Sequence, residues 1–195
     1  MKKILTHILW ASLIIALMGC TAASKQIWLK SKSEKENVFS ESVKEPIPSG
    51  KAGLQIRTSI KTKIHVPSKD IAVRGYPLLL NIDGQSVMWR VFGHRDDNVT
   101  TRYERGEGVR YTLEKNLILS SGLHTIFLGL PEDDTFVQFD VTTEGGKSYV
   151  VEFKPLYGEC LTGHKNFSHG VNGLAIFLNG NPISNSKAIQ TAVGK

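Results

Sequence analysis

Cys160, His164 and His169 stand in the pattern Cys-x3-His-x4-His. Soft thiolate and imidazole ligands at such spacing could hold zinc or copper. A structural zinc site wants four protein ligands, and this stretch offers three. Gly158, Gly163, Gly170 and Gly173 lie among them, which reads as a loop with chance histidines. No metal and no cofactor is therefore expected, with these three residues kept as the metal candidates. His124 follows Gly122 on the strand face opposite Leu123, Thr125 and Phe127. No second ligand stands near it, so it is expected to tie down a hairpin by hydrogen bonds rather than to bind a metal.

The densest charge runs through His94-Arg95-Asp96-Asp97-Asn98, with Arg102, Glu104, Arg105, Glu107 and Arg110 beyond. Mixed signs predict a solvated loop with surface ion pairs, each worth about 0–1 kcal/mol. Long loops on rigid sheets also carry function, which makes His94, Arg95 and Asp96 binding candidates. Arg57, Lys61 and Lys63 form a basic stripe on one strand face. That stripe could meet an anionic polymer; otherwise it is solvated and guards an edge strand from pairing. Nucleophilic catalysis finds no support, because no Gly-x-Ser-x-Gly elbow occurs. Asp96-Asp97 and Asp133-Asp134 are consecutive, and neighbours on a strand point to opposite faces, so neither defines an acid/base pair. Phosphate loops and Cys-x-x-Cys pairs are absent, and the sequons at Asn98 and Asn166 read as coincidence. The chain is expected not to be an enzyme.

The elements that must position these residues alternate with period two. Leu54, Ile56, Ile60, Ile64 and Val66 share one strand face, and Gln55, Arg57, Ser59, Lys61, Lys63 and His65 the other. Further strands are predicted over Pro77–Asp83, Ser86–Phe92, Val109–Ser120, Leu123–Leu130, Thr135–Thr143, Ser148–Pro155 and Leu174–Leu178. Turn signals at Asp83-Gly84, Ser121-Gly122, Gly145-Gly146 and Asn179-Gly180 separate them. About eight short strands with turns between them predict an all-β chain, an antiparallel β-sandwich or barrel. A sandwich over residues 53–183 is the expectation carried forward, followed by a loose tail over 184–195.

The N-terminus has a different composition. Lys2 and Lys3 precede an apolar stretch from Ile4 to Met18, the layout of a secretory signal peptide. Its unbroken part, Ile8 to Met18, falls short of the roughly 20 residues a bilayer crossing needs. Leu17-Met18-Gly19-Cys20 resembles a bacterial lipobox. That resemblance implies removal of residues 1–19, acylation of Cys20 and a lipid anchor in a membrane. Thr21 in the following position implies, by the same resemblance, delivery to the outer membrane, facing the periplasm. A disulfide between Cys20 and Cys160, the two cysteines of the chain, competes with acylation. Thr21 to Ala52 are rich in Ser, Lys and Glu and read as a flexible tether reaching on the order of 30 Å. Ile27-Trp28-Leu29 is its one apolar cluster. It could dock on the domain or the membrane, and composition favours an exposed cluster. Of 24 Lys and Arg, two lie in the expected signal, and 18 acids remain. The net +4 suits anionic lipid or wall polymer and does not argue for nucleic acid.

Leu80-Asn81-Ile82-Asp83-Gly84, then Gly122-Leu123-His124-Thr125-Ile126, then Gly146-Lys147-Ser148-Tyr149 are similar to the order of strands and turns in PEGA-type envelope β-sandwich domains. The likeness covers residues 78–156, less than half the chain. It implies a binding or scaffolding role and no catalytic residues. The sequence as a whole predicts a lipid-anchored envelope protein that binds or assembles with a protein or glycan partner. The alternatives are an envelope enzyme whose site forms only in the fold, and a metal-binding module around Cys160.

Overall fold

The structure, a computed structural model, describes residues 21–42, 46–64, 75–160, 163–184 and 187–189. The expected signal, Cys20, His65, Val66 and most of the predicted tail lie outside the described residues.

Twelve strands among the described residues form two sheets. They are β1 (Phe39–Glu41), β2 (Lys51–Thr62), β3 (Tyr76–Ile82), β4 (Gln85–Val91), β5 (His94–Asp96) and β6 (Gly108–Ser120), then β7 (Gly122–Leu130), β8 (Thr135–Thr143), β9 (Ser148–Tyr157), β10 (Val171–Leu178), β11 (Asn181–Pro182) and β12 (Lys187–Ile189). One sheet has seven strands in the order β1-β6-β2-β9-β10-β11, with β5 also on β6. The other has five, β12-β8-β7-β3-β4. The fold is an all-β sandwich, as the alternation predicted.

Leu54, Ile56 and Ile60 of β2 face Leu78, Leu80 and Ile82 of β3 and Val137, Phe139 and Val141 of β8 in one buried core. Val151 and Phe153 of β9 join them, with Phe153 edge-on to Phe139 at 6.0 Å between ring centroids. Alternation makes this possible, because every second side chain along each strand points the same way. Asp83 (φ 50°) and Gly84 (φ 101°) form a two-residue hairpin loop between β3 and β4, the positive-φ geometry that Asp-Gly pairs favour.

Three features depart from expectation. The pairing is not wholly antiparallel, since β2 and β9 run parallel, Gly53 beside Ser148 through Thr58 beside Phe153. Two strands far apart in sequence thus sit at the centre of the seven-stranded sheet. The stretch read as a tether carries β1 and a helix, α1 (Ala22–Ser31). The Thr21 side chain caps this helix by accepting the backbone N–H of Ser24 at 3.1 Å, the usual work of an N-cap threonine. Ala23 and Ile27, one turn apart, bury against Leu79, Phe127 and Phe136 on the outer face of the five-stranded sheet. The Phe127 and Phe136 rings stack there at 5.0 Å. Composition made α1 look like tether because only two of its side chains are buried; the apolar sheet face supplies the rest of the contact. Finally, the charged loop after β4 is fastened through Asp96, Glu104 and Arg110, while most of its other residues stay exposed as expected.

Candidate functional site

Arg57, Ser59 and Lys61 alternate with the inward Ile56, Thr58 and Ile60, so they point to the outer face of the seven-stranded sheet. Lys61 is nonetheless fully buried. The chain between β5 and β6 folds over it, and Phe167 covers it with its ring centre 5.1 Å from Nζ. The Lys61 ammonium donates to the carbonyl oxygens of Asn98 at 2.9 Å and Glu104 at 3.1 Å. Its third neighbour is the Asp96 carboxylate at 3.8 Å.

Arg110, beside Lys61 in the β2–β6 register, links the remaining acids. Its Nε donates to Asp96, its Nη2 to Glu104 at 2.9 Å and its Nη1 to Ser59 at 3.1 Å. Asp96 also accepts the backbone and side-chain N–H groups of Asn98 at 2.9 and 2.8 Å. The Tyr157 hydroxyl donates to Glu104 at 2.7 Å and accepts the backbone N–H of Lys61 at 3.0 Å. Burial alone pushes the Asp96 carboxyl up, but the Arg110 guanidinium and the Asn98 amides outweigh it and hold it down at about 2. Burial, with Glu104 beside it, pushes the Tyr157 phenol well up, although the Lys61 N–H pulls the other way. Among the described residues no buried side-chain nitrogen or oxygen lacks a hydrogen-bond partner. The network is closed, and its role is to hold a loop.

Gly108 is the glycine this arrangement requires. A Cβ there would lie 2.7 Å from the Thr62 carbonyl oxygen, 2.8 Å from the Phe167 ring and 3.0 Å from Lys61 Cε. No side chain fits without moving backbone.

Of the six predicted binding residues, Lys61 and Asp96 come together, and the others do not join them. Arg57 is exposed and 3.7 Å from Glu114, Lys63 is exposed past the end of β2, and His94 and Arg95 are exposed on β5, Arg95 pairing with Glu107 at 3.3 Å. The expectation of a solvated stripe fails at Lys61, and that of surface ion pairs fails at Asp96, Glu104 and Arg110. A loop laid across the sheet end removes Lys61, Asp96 and Glu104 from water and leaves Arg110 half-buried. Tyr157, whose hydroxyl completes the network, went unnoticed in the sequence; it ends β9, two residues past Pro155 where the predicted strand stopped.

Beside the network a cleft of about 400 Å³ opens to solvent. Arg102, Tyr103, Gly163, His164 and Lys165 line it. The Arg102 guanidinium lies 4.7 Å from the Tyr103 ring centre and bonds the phenol oxygen. The cleft wall is thus basic and aromatic, with no carboxylate among its lining residues. Glu104 follows Tyr103 directly but turns inward to Arg110 and Tyr157, so the network fixes the backbone that carries Arg102 and Tyr103.

The metal candidates do not converge. The Cys160 N–H donates to the His164 carbonyl at 3.0 Å and the Cys160 carbonyl accepts from Gly163 at 2.9 Å, a backbone turn. His169 lies in a 3-10 turn, Phe167–His169. Among the described residues no group of three or more His, Cys, Asp or Glu side chains could hold a metal ion.

His124 makes hydrogen bonds as its position predicts, though the turn beside it carries the chain from one sheet to the other instead of closing a hairpin. Its Nδ1 lies 2.7 Å from Asp83 and its Nε2 2.8 Å from the Ser120 carbonyl oxygen. The second Asp83 oxygen accepts the Thr125 N–H at 2.7 Å.

No family model, curated protein or solved structure matches the chain.

Proposed function

We propose that this chain is a lipid-anchored envelope protein that binds an anionic partner without catalysis, through the cleft of Arg102, Tyr103, His164 and Lys165. The carrying observation is the pairing of that basic, aromatic cleft with a closed ion network behind it. Rigid support lowers the entropy lost when a ligand is held. Basic groups around an aromatic ring suit a sugar face carrying carboxylate or phosphate groups. The lipobox-like Leu17-Met18-Gly19-Cys20 and the likeness to PEGA-type domains support an envelope location. An acidic glycan is the ligand class these groups fit best.

The test is titration of the full lipidated protein, in vesicles, with an oligogalacturonate and with a neutral malto-oligosaccharide of equal length. The expected result is binding of the acidic chain alone, weakened about tenfold or more in Arg102→Ala/Lys165→Ala, a loss of roughly 1.4 kcal/mol. Equal binding of both sugars, or none, overturns the reading.

A further inference from the structure

Composition placed about 30 residues of slack between the lipid and the domain. The folded chain leaves almost none. Thr21 follows Cys20 directly and already caps α1, its hydroxyl 2.8 Å from that of Ser24. Ser24 bonds Asp134 on the turn before β8. The far end of α1 is fastened as well, with the Lys30 carbonyl accepting from Asn81 at 3.0 Å and the Ser31 carbonyl from Ser86 at 2.9 Å. Ile27 and Ala23 fill the space between. A lipid on Cys20 would therefore hold the sandwich itself against the bilayer, within a residue or two of the first helical turn.

The side of α1 turned away from the sheet has the composition of a membrane interface. Trp28 is 58% exposed and Leu29 42%. Met88 of the edge strand β4, beside Leu79 in the register, is 45% exposed on the same outer face. Lys25, Gln26 and Lys32 are exposed around them, as is Arg90 two residues along β4. Lys32 places its ammonium 3.8 Å from the centre of the Trp28 ring. From Thr21 to Ser33 the chain holds three lysines and no acid. Two acids near this outer face are engaged by hydroxyls, Asp134 by Ser24 and Asp140 by Thr125.

We propose that this outer face, carried by α1 and β4, lies on the anionic bilayer that receives the Cys20 lipid. The proposal rests on the lipid-anchor reading. Indole rings settle at the headgroup level, and long basic side chains bury their stems while their charge stays with headgroup phosphates. Acyl chains on Cys20 are one contact with the membrane, and a basic patch beside them is a second. The face supplies that second contact and gives the protein one orientation.

The experiment uses the full lipidated protein in vesicles of phosphatidylglycerol and bromine-labelled phosphatidylcholine, read by tryptophan emission. Trp10 leaves with the expected signal. Trp89 is buried, with its indole N–H on Glu41 at 2.7 Å. Trp28 is then the reporter, and Trp28→Phe is a surface change that the fold tolerates. The expected outcome is quenching of about twofold or more, lost in Trp28→Phe and reduced in Lys25→Gln/Lys32→Gln/Arg90→Gln. Protein that sediments with vesicles in high salt but shows no quenching overturns the proposed face and leaves the anchor standing. Protein that washes off in high salt yet is quenched in low salt keeps the face and overturns the anchor. Washing off without quenching overturns both.

Discussion

Strand β6 runs between two differently fastened ends of the sandwich. At its Ser120 end, the His124 imidazole bridges the Ser120 carbonyl and Asp83, and that one ring ties the β3–β4 hairpin to the crossing from β6 to β7 between the sheets. At its Gly108 end, Lys61, Asp96, Glu104, Arg110 and Tyr157 share a buried network beneath the loop between β5 and β6. The turn at Asp83-Gly84 is short and locally set, with the Gly84 N–H donating to the Asn81 side-chain oxygen at 3.0 Å. The loop between β5 and β6 has little backbone pairing of its own, only the 3-10 turn Arg102–Glu104. Side chains must supply what backbone ladders supply elsewhere, and charged hydrogen bonds are the strong ones available.

Buried charge makes that loop's fastening costly to damage. Glu104→Ala removes the buried carboxylate to which Arg110 Nη2 and the Tyr157 hydroxyl donate, so a loss of about 3–5 kcal/mol is expected in urea unfolding. A loss near that of a surface pair, about 0–1 kcal/mol, would put the network in solvent and erase the contrast between the ends. Acid should reach the network end next. The Asp96 carboxyl is held at about 2 in the folded protein, against an ordinary value of 3.8. Its folded value is depressed, so its contribution is present above the ordinary value and is lost as pH falls from about 4 through about 2. That contribution is on the order of 2 kcal/mol, and Asp96→Asn should flatten stability over this window. A variant with the same acid limb as the parent would assign acid sensitivity elsewhere. The smallest effect belongs to the other end. His124→Ala removes two hydrogen bonds of one ring with no buried charge network behind it, and about 1–2 kcal/mol is expected. If thermal unfolding shows His124→Ala costing as much as Glu104→Ala, the two ends are fastened alike.

The sequence made one of these ends readable and hid the other. Asp83-Gly84, Gly122 and His124 carry their geometry in local spacing, since turn chemistry acts over two to four residues. Leu54, Leu78, Phe139 and Phe153 were legible as core because alternation needs only one strand at a time. Lys61 was not, because its burial depends on a loop more than 30 residues downstream, and on Phe167 beyond that. Glu104 and Arg110 read as surface pairs for the same reason. Helix α1 was missed because its two buried side chains, Ala23 and Ile27, have meaning only against Phe127 and Phe136. The cleft joins Arg102 to His164 and Lys165, residues from separate loops that no local pattern connects.

The parallel pairing of β2 with β9 has a consequence in time. As the chain is made from its N-terminus, β2 can pair with β6 after about 60 residues more, but its other edge waits for Ser148–Tyr157. Leu54, Ile56 and Ile60 stay without part of their cover until then, and β10 cannot join until β9 has docked. Contacts this distant in sequence close slowly, on the millisecond-to-second scale of β-rich chains. A chain held unfolded until all of β9 and β10 has emerged would avoid exposing that unfinished edge.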